Sequence, residues 1–138
     1  MNVVQAIGPV VLAADNTPAA IDLREYRSCE IVVSVGIGGI TFDSSNKIEF
    51  KVTDSDDDST YAAVADAGLL GVTGTTSGII KSLIAAHAAA AVYRFGYRGG
   101  KRYIKILADF TGTHGTGTPI SVVVVRGNAL AKPVAAQA

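Results

Sequence analysis

Hydrophobic and polar residues alternate along much of this chain. "KIEFKV" places Ile48, Phe50 and Val52 on one face and Lys47, Glu49 and Lys51 on the other, the period of a half-buried strand. "AIDLRE" sets Ile21 and Leu23 against Asp22 and Arg24, and "EIVVSVGIGGITF" offers Ile31, Val33, Val35 and Ile37 at period two. "ISVVVVRG" is a continuous β-branched run, so residues 120–126 read as a strand buried on both faces. Turn-rich stretches, many with glycine, separate these runs. Short strands at such spacing predict an all-β fold, a single-domain antiparallel β-sandwich or barrel.

"GIIKSLIAAHAAAAVYRF" admits two readings. Its alanines favour helix over 80–93. A strand at 79–84, a loop around His87 and a strand from 91 suits the next segment better and is the preferred reading. Residues 57–71 read as a long acidic connection with room for one helical turn. Residues 1–19 form an N-terminal arm or first strand, 20–127 the sandwich domain, and 128–138 an extended C-terminal tail.

The stretch "YRFGYRGGKRYIKI" (93–106) concentrates five of the chain's 12 Lys and Arg residues. Reading Gly99-Gly100 as a two-residue turn, with positive φ at both positions, predicts a β-hairpin. Arg98 then faces Lys101 and Arg94 faces Lys105. Tyr93, Phe95, Tyr97, Ile104 and Ile106 lie on the core side, rimmed by Arg102. Arg94, Arg98, Lys101 and Lys105 lie outward, with Tyr103 over Gly96. Opposed like charges destabilise a sheet by up to ~1 kcal/mol, so an acidic neighbour is expected. Residues 43–66 hold seven of the 12 acids, Asp54, Asp56, Asp57 and Asp58 among them. Two readings follow: the acidic loop of one copy, or an acidic surface of another protein, docks on the cationic hairpin, or the poles pair within the chain or are simply solvated.

Other chemistry is thinly represented. Asp54, Asp56 and Asp58 alternate as in an EF-hand loop, but Ser59 replaces the required glycine and Ala65 the bidentate glutamate. "GIGGI" lacks the third glycine of a dinucleotide fingerprint, and "RGGKR" lacks the first glycine and the Ser/Thr of a phosphate loop. His87 among alanines, His114 in a flexible Gly/Thr loop and the single Cys29 do not make a zinc set. With no nucleophile elbow and no acid–base pair, no enzyme activity and no cofactor are expected. Zero formal net charge argues against a dedicated nucleic-acid binder, and no apolar run reaches the ~18 residues of a membrane helix.

"IDLREYRSCEIVVSVG", "IEFKVTDSDDDSTYAAV", "VYRFGYRGGKRYIKILADFTG" and "PISVVVVRG", with the Gly96–Tyr103 run as the most specific element, together resemble small virion structural proteins of tailed bacteriophages and prophages. The resemblance covers about residues 20–127. It implies a small all-β protein made in the bacterial host cytoplasm and located in the virion, on the capsid surface. The implied function is non-enzymatic: a decoration protein that stabilises the assembled head. Its implied partners are the major capsid protein or another virion protein, and copies of itself as a homo-oligomer. Arms at 1–19 and 128–138 would reach neighbouring subunits. The alternatives are a head–tail or tail component, or a carbohydrate- or cell-surface-binding module using Tyr61, Tyr97 and Tyr103 and a calcium-holding acidic loop. Nucleic-acid binding through the cationic face is a minor third reading.

Overall fold

The structure, a computed structural model, describes residues 1–130. It is an all-β sandwich of two antiparallel sheets that do not close into a barrel. Among the described residues ten strands follow in chain order: β1 (Asn2–Leu12), β2 (Ile21–Asp22), β3 (Tyr26–Val35), β4 (Lys47–Ser55), β5 (Ala62–Ala63), β6 (Leu69–Leu70), β7 (Ile79–Leu83), β8 (Ala91–Tyr97), β9 (Tyr103–Thr111) and β10 (Thr118–Ala129). The front sheet runs β1-β10-β3-β8-β6. The back sheet runs β2-β9-β4, with β5 and β7 on the far edge of β4.

Alternation fixes which residues meet. In the front sheet Val124, Ile31 and Phe95 lie in one cross-strand row, and Val122, Val33 and Tyr93 in the next. In the back sheet Val52 faces Ile106 and Phe50 faces Ala108. These inward rows meet in one core, where Phe50, Ile31, Val33, Ile48, Val52 and Ile104 have no solvent exposure. Burying each of these side chains contributes ~1.5–3 kcal/mol.

Several expectations hold. Ile48, Phe50 and Val52 point inward, and Ile21 and Leu23 are buried opposite a partly exposed Asp22. Residues 79–83 are a strand, a loop carries His87, and β8 begins at Ala91. The acidic connection contains one short 3-10 turn, Asp66–Gly68. Residues 2–12 are a strand, hydrogen-bonded to β10 with two register shifts. β10 extends to Ala129, so the first two residues of the tail expected at 128–138 belong to the sheet instead; residues 131–138 of that tail lie outside the described residues.

Other expectations are corrected. The run 120–126 is not buried on both faces: Ile120, Val122 and Val124 are buried, whereas Ser121, Val123 and Val125 are only half-buried on the outside. Ile37 lies beyond the end of β3 and is exposed. Most consequentially, residues 93–106 are not a hairpin. β8 pairs with β3 and β6 in the front sheet, and β9 pairs with β4 and β2 in the back sheet. Gly99-Gly100 lies in an arch that carries the chain from one sheet to the other. Alternation survives an arch as well as a turn, so the inward and outward faces come out as expected while the partners do not. Arg94 sits opposite Val32 and Lys105 opposite Thr53, and the opposed like-charge pairs do not form.

The two glycines serve different purposes. Gly100 has φ +80°, whereas Gly99 does not have positive φ. A Cβ on Gly99 would stand 2.6 Å from the Tyr97 ring and hydroxyl, so its lack of a side chain lets the arch close over Tyr97. It is Leu70, not Tyr103, that covers Gly96.

Candidate functional site

The arch forms one open end of the sandwich, and polar residues on core-facing positions gather there. The inward period of β4 (48, 50, 52) continues to Asp54, which is 6% exposed. The inward period of β8 ends at Tyr97, 3% exposed. The Tyr97 hydroxyl donates to Asp54 Oδ2 at 2.9 Å and accepts from the Lys101 amide at 3.2 Å. Lys101 Nζ lies 3.2 Å from the other Asp54 oxygen. Burial first, and the bond to Asp54 second, push the Tyr97 phenol pKa up, so it stays protonated and serves as a donor. A buried carboxylate needs this pairing, because an uncompensated charge in the interior is costly.

The acidic and basic segments therefore meet within one chain. Asp54 does not stand on an exposed interface as expected; it is buried against Lys101 and Tyr97. Lys105 Nζ sits 4.1 Å above the Tyr61 ring, and the Tyr61 hydroxyl donates to Asp58. Asp57 accepts from the amides of Ser59 and Thr60 and from the Ser55 hydroxyl; these bonds hold its carboxyl down at about 2. Asp56 is exposed. Arg94 reaches Glu30 at 3.2 Å, both well exposed, a pair that contributes little. Arg98 donates from Nε to the Ala67 carbonyl at 3.1 Å. Arg102 does not rim the core; it forms a two-bond pair with Asp22 at 2.8 and 3.1 Å. That pair is the first cause that lowers the Asp22 pKa to about 2.

Asp54, Asp56 and Asp58 do not converge as ligands, and no group of three His, Cys, Asp or Glu side chains placed to hold a metal occurs among the described residues. Tyr97 is buried and offers no face to a sugar, while Tyr103 and Tyr61 lie beside Arg102 and Lys105. His114 is not a flexible-loop residue. It is 2% exposed, packs its ring against Phe110 with centroids 4.7 Å apart, and holds the Thr111 carbonyl from Nε2 at 2.8 Å. His87 joins the Gly36 carbonyl to the Tyr93 hydroxyl at 2.9 and 3.0 Å.

The two outer faces differ in character. The back sheet presents Lys47, Glu49, Lys51 and Asp109, tied by ion pairs. The front sheet presents Val32, Val123 and Val125 at its middle, flanked by Val92 (62% exposed) and Leu70 (49% exposed). Glu30 and Arg94 are the charges in these central rows. An apolar recess of about 240 Å³ between Pro9, Val10, Ala90 and Pro119 continues this surface at one end. Sequence reasoning missed this face because "ISVVVVRG" looks the same whether its outer side is covered or open.

Compared with known proteins, the chain matches no protein-family model and no curated sequence.

Proposed function

We propose that this chain is a non-enzymatic virion structural protein of a tailed phage, a capsid decoration protein that binds the assembled head. One observation carries the reading: the contrast between a valine-rich outer face on the front sheet and a charged, ion-paired outer face on the back sheet. A domain with one apolar side suits a protein seated on another protein, since contiguous exposed apolar surface marks interaction sites. Its front face would meet the major capsid protein and its back face the solvent. A head–tail or tail component would use the same asymmetry on a different ring of subunits. Repetition of the head surface presents many equivalent sites, and contacts between neighbouring copies would add to each one.

The test is co-sedimentation of the purified chain with assembled heads of the phage or prophage that encodes it. The expected result is saturable binding together with a raised melting temperature of the heads, since a ligand that binds only the assembled state stabilises it. A chain that stays in the supernatant at all ionic strengths would refute the reading.

A further inference from the structure

At the open end of the sandwich lies a recess of about 270 Å³ lined by Leu23, Tyr26, Arg27, Tyr97, Gly100 and Lys101. We propose that it is an acceptor site for a single carboxylate, the side chain of an aspartate or glutamate on a partner protein.

Arg27 supplies the first contact. It continues the inward period of β3 (29, 31, 33, 35), yet at the mouth of the sandwich it is exposed. Among the described residues it has no hydrogen-bond or ion-pair partner. A guanidinium offers a planar fork of donors that matches a carboxylate. Lys101 supplies the second. Its side chain is 38% exposed and its ammonium is held by Asp54, and of the three donors some remain for a ligand. The buried Tyr97–Asp54 pair fixes that ammonium in place, and the Leu23 and Tyr26 side chains wall the site. Apolar walls reduce screening and strengthen a charge contact.

The free donors select the ligand. Arg126 lies over the Tyr26 ring, but its donors are engaged by Asn2 and the Asp22 carbonyl, and Asp54 takes part of the Lys101 ammonium. What remains is the planar fork of Arg27 and the rest of one ammonium, which suits the two oxygens of a carboxylate better than the larger acceptor set of a phosphate dianion. The inference rests on the proposed docking role only for the source of the carboxylate.

The experiment is an NMR titration of the full chain with acetyl-glutamate amide, with acetyl-glutamine amide, and with inorganic phosphate, all at matched ionic strength. The glutamate probe is expected to give saturable shifts at the Arg27 side chain and the Gly100 and Lys101 amides, and the glutamine probe none. Arg27→Gln should weaken binding about tenfold, the loss typical of one charged hydrogen bond, and Arg27→Lys should restore part of it. Asp54→Asn keeps an acceptor for Tyr97 but removes the competing charge, and should tighten binding several-fold. Shifts no larger than those from sodium chloride, tighter saturation by phosphate at the same residues, or unchanged binding in Arg27→Gln would each overturn the proposal. Because the probe is soluble, such a failure leaves head binding standing, and loss of head binding leaves this result standing.

Discussion

The Tyr97 hydroxyl on the front sheet donates a hydrogen bond to Asp54 on the back sheet, 2.9 Å away, and both residues are buried. This bond ties the two layers together at the arch. Removing it leaves a buried carboxylate oxygen without its donor. Tyr97→Phe should therefore destabilise the fold by ~1–3 kcal/mol, read as a lower denaturant midpoint with an unchanged slope. A midpoint equal to that of the parent would show that Lys101 alone satisfies Asp54.

Acid should loosen the molecule in a defined window. Asp22 and Asp57 are both held down from 3.8 to about 2, Asp22 mainly by Arg102 and Asp57 mainly by the Thr60 amide. A depressed folded pKa means that the stabilisation is present above the unfolded value and is lost as pH falls through the folded one. Stability from these two groups should be constant above pH ~5 and should drop between about 4 and 2. Urea midpoints measured across that range check it. Asp22→Asn should shallow the drop, and an identical slope in that variant would remove Asp22 from the account.

Cys29 should be inert in the folded chain. Burial pushes its thiol up to about 12, with Arg126 only partly opposing this. The thiolate is the reactive form, so labelling by a thiol reagent at pH 8 should follow unfolding and should accelerate with denaturant. Fast labelling in buffer alone would contradict the observed packing.

Gly39 should tolerate no side chain. A Cβ there would stand 2.0 Å from the Gly117 carbonyl oxygen. Gly39→Ala has to displace backbone, and the cost of forced overpacking should reach the upper end of its usual ~1–3 kcal/mol range. Gly100→Ala meets open space and suffers only from its φ of +80°, a penalty of roughly 1–2 kcal/mol. Thermal melts of the two variants should rank in that order.

Much of the architecture could be read from alternation alone. The clean period of 47–52 gave a strand with the correct inward residues, whereas the β-branched run at 120–126 gave the strand but not its open outer face. Alternation specifies a face, however, and leaves the partner open. At Gly99-Gly100 a tight turn and an arch share the same composition, and what distinguishes them is the Tyr97 ring packed beneath Gly99. The site followed the same logic. Carrying the β4 period two residues past Val52 places Asp54 in the core, and carrying the β3 period back from Cys29 places Arg27 at the mouth. Reading Asp54 with its acidic neighbours hid that position. His114 was obscured in the same way, because a Gly/Thr-rich loop gives no hint that Phe42 and Phe110 close over an imidazole.

The exposed apolar face invites a direct substitution. Val92→Lys and Leu70→Lys alter well-exposed positions on the front sheet, where surface changes usually stay within about 0.5 kcal/mol of the parent stability. Binding to heads should weaken at least tenfold in the double variant. Lys47→Glu on the back sheet should leave binding unchanged, and equal losses from both faces would point to a nonspecific interaction.

The most direct measurement is an electron cryo-microscopy map of heads assembled with this chain. The account predicts density for the sandwich with Val32, Val92 and Val123 against the capsid protein and with Lys51 and Asp109 facing solvent. A map with the charged sheet against the shell, or heads carrying no such density under saturating chain, would contradict it.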